Sequence, residues 1–548
     1  MGVGDPALRS AKGTTLSRTS VIITAVLLAV GLLTVPAAEA QTTAAPAAPI
    51  SSVAWQQCTH PELAYYALEC ATLTVPLDYA RPLGAKVTLA LTRKQHTADT
   101  YKGVLITNPG GPGASGLTLP ALGDYVPGNV GASYDWIGFD PRGVGASTPS
   151  LHCSRSYFGY NRPNYVPNKP RITRHWLRKN AGYAAACANT VAKRALLPHV
   201  NTLNTVLDMD AIRRALGVER ISYYGFSYGT YLGQLYATRY PTRVGRFVLD
   251  GVVNPSRVWY AANLDQDRAF DATMRVYWRY LAVNNRTFHL GRSWRAVKRG
   301  YYRTLRRLDR KPAAGRRLGP DELSDVMLDA GYYVYDWDGL GRDYAALVRR
   351  KRGAAILSRY RDSQMGDDNG FAVYNAVQCS DVAWPGWART RADARAVHRR
   401  APFLTWNNTW YNAPCLTWRA PHGVRPGVSG KAVTAKMLLV SETRDAATPY
   451  SGALAVRNLF PSASLIAGVG GTTHASSLSG VACVDNSVAN YLNTGVVPTR
   501  LSGVRADRSC PRLSPPRPVP GGRVAAPPVD AMSPTLRQDL IEAQQTGR

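Results

Sequence analysis

Ile221-Ser222-Tyr223-Tyr224-Gly225-Phe226-Ser227-Tyr228-Gly229 is the stretch on which the fold turns. Residues 221–224 form a short β-rich run, and a turn over 225–229 follows at once. Before it, Val206, Met209, Ile212 and Leu216 fall at helical spacing and stop at Gly217. Beyond it, 231–240 reads as a helix closed by Pro241, and 247–249 as the next strand. Strands alternating with helices in this way predict a mostly parallel sheet covered on both faces. A G-x-S-x-G pentapeptide is a weak signal in a chain with 48 glycines. Its place between a strand and a helix strengthens it, because a nucleophile elbow strains the serine backbone there and leaves no room for a side chain at either glycine.

Working outward, 71–76 and 86–93 look like early strands, and 104–107 is a short buried strand that runs into the Gly/Pro cluster 108–116. Residues 134–139 form another, ending in Asp140-Pro141-Arg142-Gly143. The pattern then changes: between Asn254 and Gly430 long Trp-, Tyr- and Arg-rich helical stretches replace short buried strands, as an inserted cap would. Sheet signals resume at 435–440 and 464–466. The expected organisation is an α/β-hydrolase core over 53–253 and 431–510, a mainly helical cap over 254–430, and a Pro-rich flexible tail over 511–548.

At the N-terminus Arg9, Lys12 and Arg18 precede an uncharged apolar run, 21–35, followed by Pro36 and Ala38-Glu39-Ala40. This reads as a signal peptide over 1–40, then a linker or pro-segment over 41–52; the run is short for a membrane anchor. A secreted chain without a stable anchor is expected. The eight cysteines all follow the leader and lie as close neighbours in order: Cys58 and Cys70, Cys153 and Cys187, Cys379 and Cys415, Cys483 and Cys510. An even count in an exported chain suggests disulfides, with connectivity left open. No C-x-x-C pair and no H-E-x-x-H is present, so neither a metal nor another cofactor is expected. The net charge of +30 is spread along the chain, densest over 298–317. Without a nucleic-acid motif it reads as a solvated face, and no nucleic-acid partner is expected.

A serine hydroxyl needs a general base, usually histidine, held in one tautomer by a carboxylate. In this fold the order is serine, acid, histidine. Of His289, His398, His422 and His474, which follow Ser227, only His474 lies beyond the second block of sheet, after the Gly-rich loop 468–473. The acid should sit just past the strand 437–440, where Asp445 is the first choice and Glu442 its rival. The glycine loop 108–113 suits an oxyanion hole, with backbone donors expected from Gly111 and Tyr228. A phosphate loop fits poorly: its lysine is missing and prolines interrupt the turn.

Together 108–116 (NPGGPGASG), 140–147 (DPRGVGAS), 224–233 (YGFSYGTYLG) and 441–450 (SETRDAATPY) resemble the secreted tripeptidyl aminopeptidases of the Streptomyces type, within the prolyl aminopeptidase group of serine peptidases. The similarity extends through Asn254-Pro255-Ser256-Arg257, 263–267 and Cys379-Ser380-Asp381, and spans about Trp55 to Cys510. The resemblance implies an exopeptidase that takes peptides with a free N-terminus and releases short peptides, tripeptides in the family's manner, with Ser227, Asp445 and His474 matching the family triad. The chain departs from the pattern at Ala114, where a glycine is common, and at Thr473 and Ala475, which flank His474 in place of glycines. Such an enzyme must bind an α-ammonium group, for which buried cap carboxylates are natural partners. Asp381 is the first expectation and Asp267 the second; Asp381 adjoins Cys379 and could instead orient a disulfide-tied loop. An esterase on the same triad is the alternative, and a non-catalytic hydrolase-like binding protein a more distant one.

Overall fold

The computed structural model describes residues 52–366, 368–518, 532 and 534–545. The predicted leader and nearly all of the linker lie outside these residues. Ten strands form one sheet: β1 (Gln56–Gln57), β2 (Glu69–Pro76), β3 (Lys86–Lys94), β4 (Val104–Asn108), β5 (Asp135–Phe139), β6 (Ile221–Phe226), β7 (Val244–Asp250), β8 (Met437–Glu442), β9 (Ala463–Val469) and β10 (Arg508–Pro511). Their order is β1-β2-β3-β5-β4-β6-β7-β8-β9-β10. The first three and their junction with β5 are antiparallel, and everything from β5 to β10 is parallel. Strands β4, β6 and β8 are buried along their whole length, which explains why their sequences are apolar runs without alternation. β1 and β10 were not foreseen; they are short edge strands with mostly exposed side chains.

The helical cap occupies the connection between β7 and β8, from the helix Tyr260–Val283 to the helix Thr405–Tyr411. It has its own apolar cluster, built on residues such as Phe270, Trp278, Tyr301, Leu323 and Trp337. The region assigned to the core before 254 needs correction. Tyr165, Ile172 and Trp176, which lie between β5 and β6, bury against Ala394, Trp406 and Trp410 of the cap. The rings of Trp176 and Trp410 stack at 6.0 Å. Tyr165, Ile172 and Trp176 thus side with the cap in space, whereas Tyr157, Tyr183 and Cys187 of the same connection bury in the main core.

The tail is also not loose where it is described. Residues 512–518 run over the molecule as a strap, with Leu513 against the cap cluster. The helix Pro534–Gln545 buries Leu536 and Leu540, four residues apart, against the core. A Pro-rich composition forecast little regular structure; it did not forbid contacts. Disulfides join Cys58 to Cys70, Cys153 to Cys187, Cys379 to Cys415 and Cys483 to Cys510, so each cysteine bonds its neighbour in order. Among the described residues no helix is long and apolar enough to cross a membrane.

Candidate active site

Ser227 sits between β6 and the helix Tyr228–Arg239 with φ 54° and ψ −123°, a conformation an L-residue adopts only under strain. The turn holds it. The Ser227 N–H donates to the Asp250 carbonyl at 2.9 Å, and a Cβ on Gly225 or Gly229 would come within 2.8 Å of neighbouring atoms, so both positions require glycine. The Tyr228 N–H opens a helix and has no acceptor within it.

Asp445 lies in the turn after β8, and its carboxylate is fully engaged. Oδ1 accepts the N–H groups of Ala447 and Thr448 at 2.9 and 3.0 Å, while Oδ2 takes the Thr448 hydroxyl and His474 Nδ1, each at 2.8 Å. These bonds fix the carboxylate and, through it, the imidazole tautomer with hydrogen on Nδ1. The other nitrogen, Nε2 of His474, is buried and has no hydrogen-bond partner among the described residues. His474 also donates its backbone N–H to the Tyr332 carbonyl of the cap at 2.8 Å, with the Tyr332 ring edge-on at 5.8 Å. Neighbouring Ala475 has φ 53°, so the loop takes a left-handed residue without using glycine.

The rival acid, Glu442, does not reach His474. Its Oε2 accepts the Thr473 N–H at 2.5 Å and its Oε1 the Leu513 N–H at 2.9 Å. Burial pushes it up to about 8, with the two N–H donors pulling the other way.

The glycine loop is braced from below by the turn after β5. Asp140 accepts the Ser115 hydroxyl at 2.6 Å, the Gly116 N–H at 3.1 Å and the Ala146 N–H at 2.8 Å, and burial lifts it to about 6. Arg142, in the same turn, makes a buried two-pronged bond to Asp208 at 2.7 and 2.6 Å. Removing one partner of such a pair costs about 3 to 5 kcal/mol. Ser227, Tyr228, Gly111 and His474 all line one cleft, whose lining also includes the cap residues Leu328, Tyr332 and Leu404.

The two cap carboxylates expected at the substrate amine stand elsewhere. Asp381 accepts the Thr202 N–H at 2.9 Å, the Thr202 hydroxyl at 2.5 Å and the Trp259 indole N–H at 2.9 Å. Asp267 takes the Asn408 side chain at 3.0 Å. Both are buried and neither is on the cleft wall. The reason is helical phase: their faces turn into the packing between elements. The carboxylates that do line the cleft are Asp265 and Asp325. Asp265 is held by Arg257 at 2.7 Å and Arg268 at 3.3 Å. Asp325 is bonded by Arg162 at 2.6 Å, the Tyr165 hydroxyl at 2.9 Å and Asn407 at 2.9 Å. Sequence reasoning missed Asp325; its signal is an acidic helix, Pro320–Tyr332, that carries Asp321, Glu322, Asp325 and Asp329.

The chain is 35% identical to the tripeptidyl aminopeptidase of Streptomyces lividans over 85% of its own length and 88% of that protein. The chain belongs to the tripeptidyl aminopeptidase family. Residues 401–510 match the family described as TAP-like protein. The serine protease Hip1 of Mycobacterium tuberculosis is 31% identical over 78% of this chain and 86% of that one. A carboxylesterase B of the same organism has the same identity over 78% of this chain and 85% of that one. Membership of the tripeptidyl aminopeptidase family makes the chain a serine hydrolase, and the family match from 401 to 510 includes both Asp445 and His474.

Proposed function

We propose that this chain is a secreted serine exopeptidase that releases short peptides, tripeptides among them, from free N-termini through an acyl-enzyme. His474 carries the reading: its Nδ1 is tied to Asp445, while its Nε2 is buried, unpartnered and on the same cleft wall as Ser227. In this scheme Nε2 takes the Ser227 proton as Oγ attacks the scissile carbonyl, and Asp445 stabilises the resulting imidazolium. The N–H groups of Gly111 and Tyr228 receive the oxyanion. His474 then protonates the leaving amine, and water, activated by the same nitrogen, frees the N-terminal fragment from Ser227. Asp325, at the cap end of the cleft and flanked by Asp321 and Glu322, is the carboxylate set to meet the substrate ammonium. The four disulfides agree with passage through an oxidising compartment.

The test compares Ser227→Ala with the parent on a tripeptide amide, its N-acetylated form and a small neutral ester. Turnover should fall by several orders of magnitude in the variant, as triad serines do, with folding retained. The parent should prefer the free amine. Activity within about tenfold of the parent would reject Ser227. The esterase reading draws on the carboxylesterase relative; it would be favoured by indifference to acetylation with faster ester turnover. Failure of a fluorophosphonate to label the folded parent would revive the non-catalytic binding protein.

A further inference from the structure

Glu442 has the strand-end position of a catalytic acid and yet touches two backbone N–H groups from segments far apart in sequence. One belongs to Thr473, the residue before His474, and the other to Leu513, in the strap that follows β10. The histidine loop is shaped around this carboxyl: a Cβ on Gly471 would lie 2.1 Å from Glu442 Cδ, and one on Gly468 would lie 3.0 Å from its Cγ. The strap continues to the cap, where the Tyr280 hydroxyl donates to the Pro516 carbonyl at 2.9 Å. The rest of the loop is fastened separately, by Thr443 N–H to the Gly468 carbonyl at 3.0 Å and Arg444 N–H to the Gly471 carbonyl at 2.9 Å. Those bonds end at 471; beyond it the cap holds the loop through Val334 N–H to the Thr473 hydroxyl at 3.3 Å and His474 N–H to the Tyr332 carbonyl at 2.8 Å, and Glu442 holds it from the strand side.

We infer that Glu442 is a positioning residue that couples the C-terminal strap to the histidine loop, so that the strap's seating on the cap sets the alignment of His474 with Ser227. Two donors arriving from two directions need two acceptor oxygens. A carboxyl group supplies them, since each oxygen keeps an accepting lone pair even when one is protonated; an amide supplies one and turns an NH₂ group against the other donor. The energetic demand for such bracing is steep, because misplacement of a reacting group by about 1 Å can cost about 10²-fold in rate. The inference rests on the reading of His474 as the general base.

The experiment uses the full chain with Glu442→Gln, Leu513→Pro, and the two combined. Leu513→Pro removes the donated N–H together with the Leu513 contact to the cap cluster, and Leu513→Ala, which keeps the N–H, separates the two losses. Rates of fluorophosphonate labelling, together with kcat and KM on a tripeptide amide, are the readouts. Glu442→Gln should lower kcat and the labelling rate by about tenfold or more with KM within about twofold, the pattern of a lost transition-state alignment. Leu513→Pro should lower kcat in the same sense, and the double variant should be no worse than Glu442→Gln alone, because both cut one connection. Losses that multiply, a rise in KM at constant kcat, or an unaffected Leu513→Pro would overturn the inference. Should Glu442→Gln not fold, Leu513→Pro and Tyr280→Phe decide it: unchanged labelling in both rejects the coupling. A parent that is not labelled refutes the His474 reading itself, whereas a labelled parent with equally reactive variants refutes only the coupling.

Discussion

The Asp381 carboxylate holds the Thr202 hydroxyl at 2.5 Å, and that hydroxyl lies 2.9 Å from the phenol of Tyr228, the residue beside Ser227. Asp381 therefore supports the nucleophile's helix. Asp381→Asn should lower kcat/KM for a free tripeptide amide and for a neutral ester by the same factor, and should lower Tm, since buried donors lose an acceptor worth about 1 to 3 kcal/mol. Parallel kinetics on the two substrates check it; a loss confined to the peptide would return Asp381 to the substrate amine.

Asp325→Asn should show the opposite selectivity. If Asp325 receives the ammonium, kcat/KM for free-amine peptides should fall by about 2 to 5 kcal/mol, while the neutral ester is largely spared. Arg162 loses its partner at 2.6 Å in this variant, so a lower Tm is expected as well. The ratio of peptide to ester rates separates the two effects, and an unchanged ratio would remove Asp325 from the subsite.

Stability should be greatest in mild acid. Burial raises Asp140, Asp250, Asp381 and Asp485 to about 6, Asp267 to about 7 and Glu442 to about 8. The folded chain thus keeps protons that the unfolded chain releases once the pH passes the ordinary carboxyl values. Their contribution is complete below those values and is lost as the pH rises through about 6 to 8. His175, His199 and His398 are lowered by burial and act the other way, losing stability as the pH falls through the ordinary histidine range. With more carboxyls than histidines involved, the urea midpoint should be higher near about pH 5.5 than near about pH 8. The reverse order would contradict the buried-carboxyl assignment.

Reduction should destabilise the chain, because each closed loop restricts the unfolded ensemble by about 2 to 4 kcal/mol. The bond between Cys379 and Cys415 matters most for the cleft, since it ties the helix Asn369–Asp381 to the turn Ala413–Thr417. Thermal melts with and without reductant, and a thiol titration of the native protein, check this. Eight titratable thiols in the native form would refute it.

The elbow and the pairing of Asp445 with His474 were legible because local chemistry dictates them. A serine forced to φ 54° demands glycines at 225 and 229, and residues just past β8 and β9 must lie at the same sheet edge as Ser227. The cap carboxylates were not legible. Whether Asp381 or Asp325 faces the cleft depends on how helices rotate against one another, and on Tyr165 and Trp176, whose cap partners Trp406 and Trp410 lie more than two hundred residues later. The sequence ranks Asp445 ahead of Glu442 although both follow the same strand, and the loop's path, which brings His474 Nδ1 to 2.8 Å from Asp445, is what separates them.

The adjacency of β7 and β8 has a consequence for biosynthesis. The two strands pair along Phe247 to Asp250, yet residues 251–436, which carry most of the cap, are translated between them. At about 5 to 20 residues per second, the outer edge of β7 waits about 10 to 40 s for its neighbour, bearing unpaired backbone groups in the meantime. Ser227 emerges early, while Asp445 and His474 arrive only with the last stretch of sheet. On the proposed mechanism a nascent chain of this architecture stays inert toward other polypeptides until its synthesis is nearly finished, and its most vulnerable interval is the one in which residues 251–436 are being made.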